Sequence, residues 1–89
     1  MSGRRFVVRG RVQGVNFRAT AAEQARRLGL NGRIWNRGDG AVEAEAEGNT
    51  EALTKFEAWL HHGPSYAQVD SVEAEALEGG PRHRGFGVG

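Results

Sequence analysis

The chain has 89 residues, which predicts one small domain over residues 1–89 with no room for a second. Because it contains no cysteine, a disulfide framework, a cysteine nucleophile and a thiolate metal site are all excluded. Twelve basic and eleven acidic residues leave a net charge of +1. This balance predicts a local cationic site for a small anionic ligand rather than a nucleic-acid-binding surface. The apolar run from Phe6 to Val8 is too short for a signal peptide or a membrane span, so we expect a cytoplasmic protein without membrane attachment.

The first third of the chain predicts a strand followed by a helix. Residues 5–12 alternate between apolar and basic side chains, as in a half-buried strand. One face of this strand would carry Phe6, Val8, Gly10 and Val12. Between residues 19 and 28 the period becomes helical, because an apolar stripe recurs at Ala21, Ala22, Ala25 and Leu28. Gly29 predicts the end of this helix, since glycine readily adopts the left-handed conformation found there.

The middle of the chain predicts a hairpin of two strands. Residues 32–36 form a short strand, and residues 37–40 (Arg-Gly-Asp-Gly) have the composition of a tight turn. Residues 41–47 alternate clearly, which indicates a strand with one buried face. Its inward side chains would be Val42, Ala44 and Ala46. Its solvent-exposed side chains would be Glu43, Glu45 and Glu47.

The remaining segments predict a second helix and two further strands. Asn49 or Thr50 would cap the helix, and Gly63-Pro64 would end it. The apolar face of this helix carries Leu53, Phe56, Trp59 and Leu60. Residues 69–77 alternate again, with Val72, Ala74 and Ala76 opposite Glu73 and Glu75. A Gly79-Gly80-Pro81 turn would then lead to a short strand around Phe86 and Val88.

The element order is β-α-β-β-α-β followed by a short terminal strand. This order predicts an α+β fold of the ferredoxin-like, split βαβ type, with two helices on one face of a mainly antiparallel sheet. Because that architecture supports many unrelated activities, the function has to be argued from a site.

The connection between the first strand and the first helix is the candidate site. It reads Gln13-Gly14-Val15-Asn16-Phe17-Arg18 and places successive N–H groups beside the positive end of the helix dipole. The planar guanidinium of Arg18 is suited to bonding two phosphoryl oxygens together. Composition alone leaves a plain connection with a solvated arginine equally open. No Gly-Lys-Ser/Thr follows, so nucleotide hydrolysis of the Walker type is not expected.

Two longer stretches resemble a known family. Residues 8–18, Val-Arg-Gly-Arg-Val-Gln-Gly-Val-Asn-Phe-Arg, resemble the first acylphosphatase signature, G-x-V-Q-G-V-x-F-R, with every fixed position present. Residues 32–42, Gly-Arg-Ile-Trp-Asn-Arg-Gly-Asp-Gly-Ala-Val, are similar to the second signature, which Gly48 closes. The similarity spans the chain and implies a single ferredoxin-like domain.

The resemblance implies hydrolysis of the carboxyl-phosphate bond of acyl phosphates. Arg18 would bind the phosphoryl group, the amides of Gln13, Gly14, Val15, Asn16, Phe17 and Arg18 would form the cradle, and Asn36 would orient the water. Phosphoryl transfer from an activated acyl phosphate needs mainly positioning and charge stabilisation, so no metal and no cofactor are expected. The expected partners are a small acyl phosphate and inorganic phosphate, with no nucleic acid or membrane, and we expect a monomer.

The sequence departs from the second signature at two positions. Arg33 stands where the family usually has an aromatic residue, and Trp35 stands where it commonly has a basic or polar one. On a strand both side chains share one face, opposite Ile34 and Asn36. Either the aromatic and the cation stack together on this surface, or the exchange is ordinary drift at exposed positions.

Other readings compete with the enzyme. A non-catalytic phosphate or acyl-phosphate sensor would keep the cradle and lose Asn36. An RNA-binding module would expose two or three aromatic residues on central strands. The third alternative is an interaction domain, like the acylphosphatase-like module of larger maturation proteins. The length of the chain argues against this alternative.

The histidines do not suggest a metal site. His61 and His62 are adjacent on a helix, so their side chains diverge by roughly 100° and cannot chelate one ion. His83 lies between two arginines and is interpreted as solvated. Asp39 is interpreted as a turn former rather than a catalytic carboxylate.

Overall fold

The order of strands and helices agrees with the sequence prediction. The computed structural model describes residues 2–78 and 83–89, which contain five strands and two helices. Their bounds are β1 (Ser2–Arg11), α1 (Phe17–Arg27), β2 (Asn31–Asn36), β3 (Val42–Gly48), α2 (Thr50–Leu60), β4 (Gln68–Leu77) and β5 (Phe86–Val88). The turn expected at Gly79-Gly80-Pro81 lies outside the described residues. Neither described helix is long and apolar enough to cross a membrane.

The strands form one mixed sheet in the order β4-β1-β3-β2-β5. Strand β1 is antiparallel to both β3 and β4, and β2 is antiparallel to β3. Only β5 runs parallel to its neighbour, β2, so that Ile34 pairs with Val88. This arrangement confirms the predicted α+β, ferredoxin-like fold, with β5 added at one edge.

The core lies between one face of the sheet and the two helices. Phe6 and Val8 of β1 are fully buried, as are the predicted inward residues of β3. The alanine stripe of α1 is small, so this helix approaches the sheet closely. On α2, Phe56 meets the ring of Phe6 at 5.7 Å and that of Phe86 at 5.8 Å between centroids. These edge-on contacts join α2 to β1 inside the sheet and to β5 at one of its edges.

One end of each helix contains a capping residue that the sequence predicted. Of the two cap candidates, Asn49 is the one used, because its side chain accepts a hydrogen bond from the Ala52 N–H at 2.7 Å. The carboxyl end of α1 stops at the predicted glycine, Gly29, whose N–H bonds to the Arg26 carbonyl at 3.0 Å.

The opposite face of the sheet is charged. Arg5 lies opposite Glu45 on β3 and Glu75 on β4, and it forms an ion pair with Glu75. Arg9 pairs with Glu73 at 3.2 Å across the same two strands, β1 and β4. Opposite charges on neighbouring strands therefore stabilise the open face modestly.

The interpretation of Glu47 and His83 as solvent-exposed is wrong. Glu47 is 5% exposed, and it accepts a hydrogen bond from the main-chain N–H of His83 at 3.0 Å. The His83 ring is half-buried, with Nε2 3.1 Å from Glu45 Oε1. The cause is tertiary, since the segment that enters β5 covers this end of β3. The alternation of side chains along β3 cannot predict burial by a segment that is distant in sequence.

Strands β4 and β1 also depart locally from the expected alternation. Ala74 pairs with Phe6 and therefore lies on the helix side of the sheet. Both Ala74 and Ala76 are nevertheless exposed, because β4 is an edge strand that lies beyond the part of the sheet covered by α2. In β1 the register with β4 shifts between Arg9 and Gly10, which leaves Gly10 exposed while Val12 is buried.

Candidate active site

The connection between β1 and α1 has the backbone of an anion-binding loop. Gly14 and Asn16 both adopt the left-handed conformation, with φ of 75° and 62°. Asn16 precedes α1, but its side chain does not cap the helix, and the first turn holds no acidic residue. Within residues 2–78 and 83–89, no protein oxygen accepts a backbone hydrogen bond from the N–H groups of residues 14–18. These donors and the positive end of the α1 dipole are thus directed at solvent or a ligand.

The side chain of Gln13 ties this loop to the β2–β3 hairpin. Its Nε2 donates to the carbonyl oxygens of Arg37 at 2.9 Å and Ala41 at 3.0 Å. The same Ala41 carbonyl accepts the Arg37 N–H that closes the hairpin. The loop is therefore held beside Asn36, the residue that precedes the turn.

Phe17 anchors the other end of the loop in the core. It is 1% exposed, and its ring lies 5.7 Å from the ring of Trp59. A Cβ atom added to Gly63 would come within 2.7 Å of the Phe17 ring, so the end of α2 packs tightly there. The start of α1 is fixed by this contact.

Arg18 lies at the start of α1 and is oriented by the segment after β5. Its Nη1 donates to the Gly89 oxygen at 2.6 Å, while the Gly89 N–H bonds to the Ile34 carbonyl at 2.7 Å. A guanidinium has five N–H donors in a rigid fork, so the other donors of Arg18 are not committed to this contact. The arginine is consequently positioned before any ligand binds.

Arg18 and Asn36 line one pocket of about 150 Å³. At roughly 30 Å³ for each water in the liquid, this volume corresponds to about five water molecules. The lining residues come from the loop, α1, β2 and β5: Val12, Gly14, Asn16, Phe17, Arg18, Ala19, Asn36 and Val88. A phosphoryl group is compact enough for a space of this volume.

The side chains of two expected cradle residues point away from the pocket. Gln13 directs its side chain to the hairpin, Val15 packs its side chain partly buried against the core, and neither is among the described lining residues. The predicted role of these residues concerns their main-chain N–H groups and stays a prediction. The sequence interpretation missed Ala19 and Val88 as lining residues. The Phe86-x-Val88 spacing was the available signal, because residues two apart on a strand share a face.

The pocket wall contains no carboxylate or imidazole among the described residues. In the same residues, no group of three or more His, Asp or Glu side chains is placed to hold a metal ion. The chemistry available in the pocket is hydrogen-bond donation by amides, a guanidinium and a carboxamide.

Asp39 stabilises the turn that presents Asn36. Its Oδ1 accepts the Ala41 N–H at 3.1 Å, and its Oδ2 lies 3.2 Å from both Arg9 and Arg37. The Ala41 N–H lowers the pKa of Asp39 most, and Arg9 and Arg37 lower it further. The pKa of Arg9 is raised by its hydrogen bonds to Asp39 and then Glu73.

Arg33 and Trp35 lie on the other side of the sheet from the pocket. The Arg33 guanidinium carbon stands 4.7 Å from the centroid of the Trp35 ring, so the cation and the aromatic do stack. On that open face, the central strands β1 and β3 present Val7 and glutamates rather than aromatic residues. This surface does not resemble the base-stacking platform of an RNA-binding module.

Comparisons with known proteins identify the family of this chain. The family model described as Acylphosphatase matches residues 4–88. An acylphosphatase of Anaeromyxobacter dehalogenans (strain 2CP-C) is 54% identical over 74 residues, which cover 83% of this chain and 80% of the relative. The crystal structure of the Bacillus subtilis acylphosphatase has a TM-score of 0.95 at 34% identity, covering 99% of this chain and 98% of that one.

The same fold also occurs as part of a longer chain. The crystal structure of HypF from T. kodakarensis matches with a TM-score of 0.87 at 29% identity, covering 100% of this chain but 12% of that one. The family match over residues 4–88 and the identity to curated relatives nevertheless decide the classification. The chain belongs to the acylphosphatase family.

Proposed function

We propose that this protein hydrolyses acyl phosphates to a carboxylate and inorganic phosphate. The observation that carries the proposal is the shared pocket of Arg18 and Asn36 at the uncapped amino end of α1. The related proteins are named acylphosphatase, which agrees with this activity. Small acyl phosphates are the substrates, and phosphate is both product and inhibitor.

The phosphoryl group is bound by main-chain amides and one guanidinium. The N–H groups of residues 14–18 lie at the amino end of α1, beside the positive end of the helix dipole, and have no acceptor among the described protein residues. Arg18 adds a charged fork that bonds two oxygens at once. Together they stabilise the charge that spreads over the three equatorial oxygens during transfer.

Asn36 orients the attacking water. A carboxamide both donates and accepts hydrogen bonds, so Asn36 holds a water without acting as a base. The water oxygen bonds to phosphorus as the bond from phosphorus to the acyl oxygen breaks. Because the described residues of the pocket wall offer no carboxylate or imidazole, the water's proton passes to a phosphoryl oxygen.

The departing group needs no acid. The acyl oxygen leaves as a carboxylate, which is a weak base, so no general acid has to protonate it. The products are the carboxylate and phosphate, and the reaction consumes one water. Binding and positioning account for the rate enhancement.

The decisive assay is hydrolysis of benzoyl phosphate in the presence of a chelator. We expect activity in the wild type. Arg18→Ala should lower kcat/KM by at least roughly 10²–10³-fold, the effect of removing a key transition-state donor. Asn36→Ala should lower kcat with little change in the inhibition constant of phosphate. The matched control is Arg27→Ala, which removes an exposed arginine of the same helix whose ion pair within the described residues is with Glu23, at 2.7 Å.

Three outcomes would contradict the proposal. Normal turnover by Asn36→Ala would refute the role of the carboxamide. Tight phosphate binding by Arg18→Ala would refute the cradle. Phosphate binding without hydrolysis in the wild type would favour the sensor over the enzyme.

We further propose a single domain over residues 1–89 that works as a cytoplasmic monomer. The family match over residues 4–88 supports the single domain. Light scattering of the purified protein tests the monomer, and fractionation of the native cell tests the compartment. A dimer, or recovery with the envelope fraction, would contradict these assignments.

A further inference from the structure

We propose that Val88, together with Ala19, forms the surface that contacts the acyl group of the substrate and so sets acyl specificity. The inference rests on the proposed hydrolysis of acyl phosphates and adds a specificity-determining residue to it. In the part of the chain that the structure describes, Val88 is one of two large apolar side chains that are exposed, at 46%.

The pocket wall is divided by polarity. Its polar side consists of Asn16, Arg18, Asn36 and the main chain of the loop. Of its apolar residues, Val12 and Phe17 are each 1% exposed and belong to the core. Among the described lining residues, Ala19 and Val88 are the two that are both apolar and exposed. A hydrocarbon group that leaves the pocket therefore has these two side chains to contact.

Strand geometry explains why Val88 reaches the pocket. Phe86 and Val88 share one face of β5, and Phe86 is buried under the helices at 4% exposure. Val88 faces the same side, but it lies where α1 begins and the helical cover ends. Asn36 reaches the pocket in the same way, two residues beyond the buried Ile34.

Val88 is also displaced from the water-orienting residue. Val88 pairs with Ile34, one strand away, and Asn36 lies two residues further along β2. Strand spacing of about 4.8 Å and a rise of about 3.3 Å per residue separate the two main-chain positions by about 8 Å. In-line transfer requires the water and the leaving group on opposite sides of phosphorus. This separation accommodates the phosphoryl group between them.

The test compares benzoyl phosphate with acetyl phosphate, which share the phosphoryl group and differ in apolar surface. Val88→Thr keeps the side-chain shape and replaces a methyl by a hydroxyl, whereas Val88→Ala removes both methyls. We expect the ratio of kcat/KM for benzoyl over acetyl phosphate to fall roughly three- to tenfold, since one buried methylene is worth about fourfold. The inhibition constant of phosphate should stay within about twofold, because the cradle is untouched.

The matched control is Tyr66→Ser, which alters the other exposed large apolar side chain, 84% exposed and outside the pocket lining. It should leave the ratio unchanged. An unchanged ratio in both Val88 variants would overturn the inference. A parallel rise in the phosphate inhibition constant would also overturn it, because Val88 would then act on the phosphoryl site. If the wild type hydrolyses neither substrate, the proposed function itself fails, which is a distinct result.

Discussion

The carboxamide of Gln13 donates to the carbonyl oxygen of Arg37 at 2.9 Å, and this bond joins the anion-binding loop to the hairpin that carries Asn36. A second bond from the same nitrogen reaches the Ala41 carbonyl at 3.0 Å. Two segments far apart in sequence are thereby held at a fixed separation. The relative placement of Arg18 and Asn36 depends on this link.

Replacing Gln13 with leucine should therefore affect catalysis as well as stability. The two carbonyls lose this donor but keep a main-chain one, the Gly40 N–H for Arg37 and the Arg37 N–H for Ala41, so the free energy of unfolding should fall by about 0.5–1.5 kcal/mol. We expect the fold decrease in kcat to be at least as large as the fold increase in KM, because Asn36 is no longer held in place. Urea denaturation and steady-state kinetics measure the two effects. Gln68→Leu, at an exposed position of β4, is the control. An unchanged kcat in Gln13→Leu would contradict the link.

Gly63→Ala should destabilise the protein through Phe17. The φ angle of Gly63 is 66°, a conformation that costs an L-residue about 1–2 kcal/mol. The added Cβ would also lie 2.7 Å from the Phe17 ring, so the ring must shift. Because Phe17 anchors the loop, phosphate binding should weaken along with thermal stability. Gly38→Ala is the control, since its Cβ would meet nothing within 4 Å. Equal effects of the two substitutions would contradict this account.

Arg26→Ala should loosen β5. Both Nε and Nη2 of Arg26 donate to the Phe86 carbonyl, at 3.1 and 2.6 Å. Hydrogen bonds from charged groups contribute about 1.5–3 kcal/mol to stability. Because this contact is half-buried, we expect the free energy of unfolding to fall by an amount near the lower end of that range. Arg27→Ala should change the free energy of unfolding by less than about 0.5 kcal/mol. Denaturant titration of both variants distinguishes a specific contact from loss of a charge on α1.

Asp39 should make the hairpin sensitive to acid. Its pKa is lowered in the folded protein, first by the Ala41 N–H and then by Arg9 and Arg37. The ionised carboxylate therefore favours folding above the ordinary aspartate pKa, and this contribution is lost as the pH falls through the lowered value. The stability difference between wild type and Asp39→Asn should shrink over that range. A carboxyl titration by NMR that gives an ordinary pKa would contradict the prediction.

Periodicity identified every strand and helix that the structure describes, because each element buries one face and local alternation records that burial. It also placed Asn36 correctly on β2, whereas Arg18, expected in the loop before the first helix, lies in the first turn of α1. The errors arose where a distant segment covers a residue. The alternation along β3 predicts a solvent-facing Glu47. Its side chain is buried because the main chain at His83 packs against it.

The site shows the same limit. That Asn16 adopts a left-handed conformation, and that Gln13 points at the hairpin, depends on tertiary contacts that the composition of a loop does not encode. Val88 was recognised as a strand residue, but its place beside Asn36 follows from the parallel pairing of β5 with β2. Sequence patterns predict which face of a helix or strand is buried. Which residues pack against that face is determined by the topology of the fold.

Strand β5 has three residues at an edge of the sheet, and it is joined to residues more than fifty positions earlier in the chain. Segments of this kind open at a lower free energy than the centre of a sheet. Opening β5 would remove Val88 from the pocket and release Arg18 from Gly89, while Phe6 and Ala44 stay packed. Native-state hydrogen exchange should therefore find the Gly89 amide exchanging earlier than those of β1. Mild denaturant would then abolish turnover before the main cooperative transition begins.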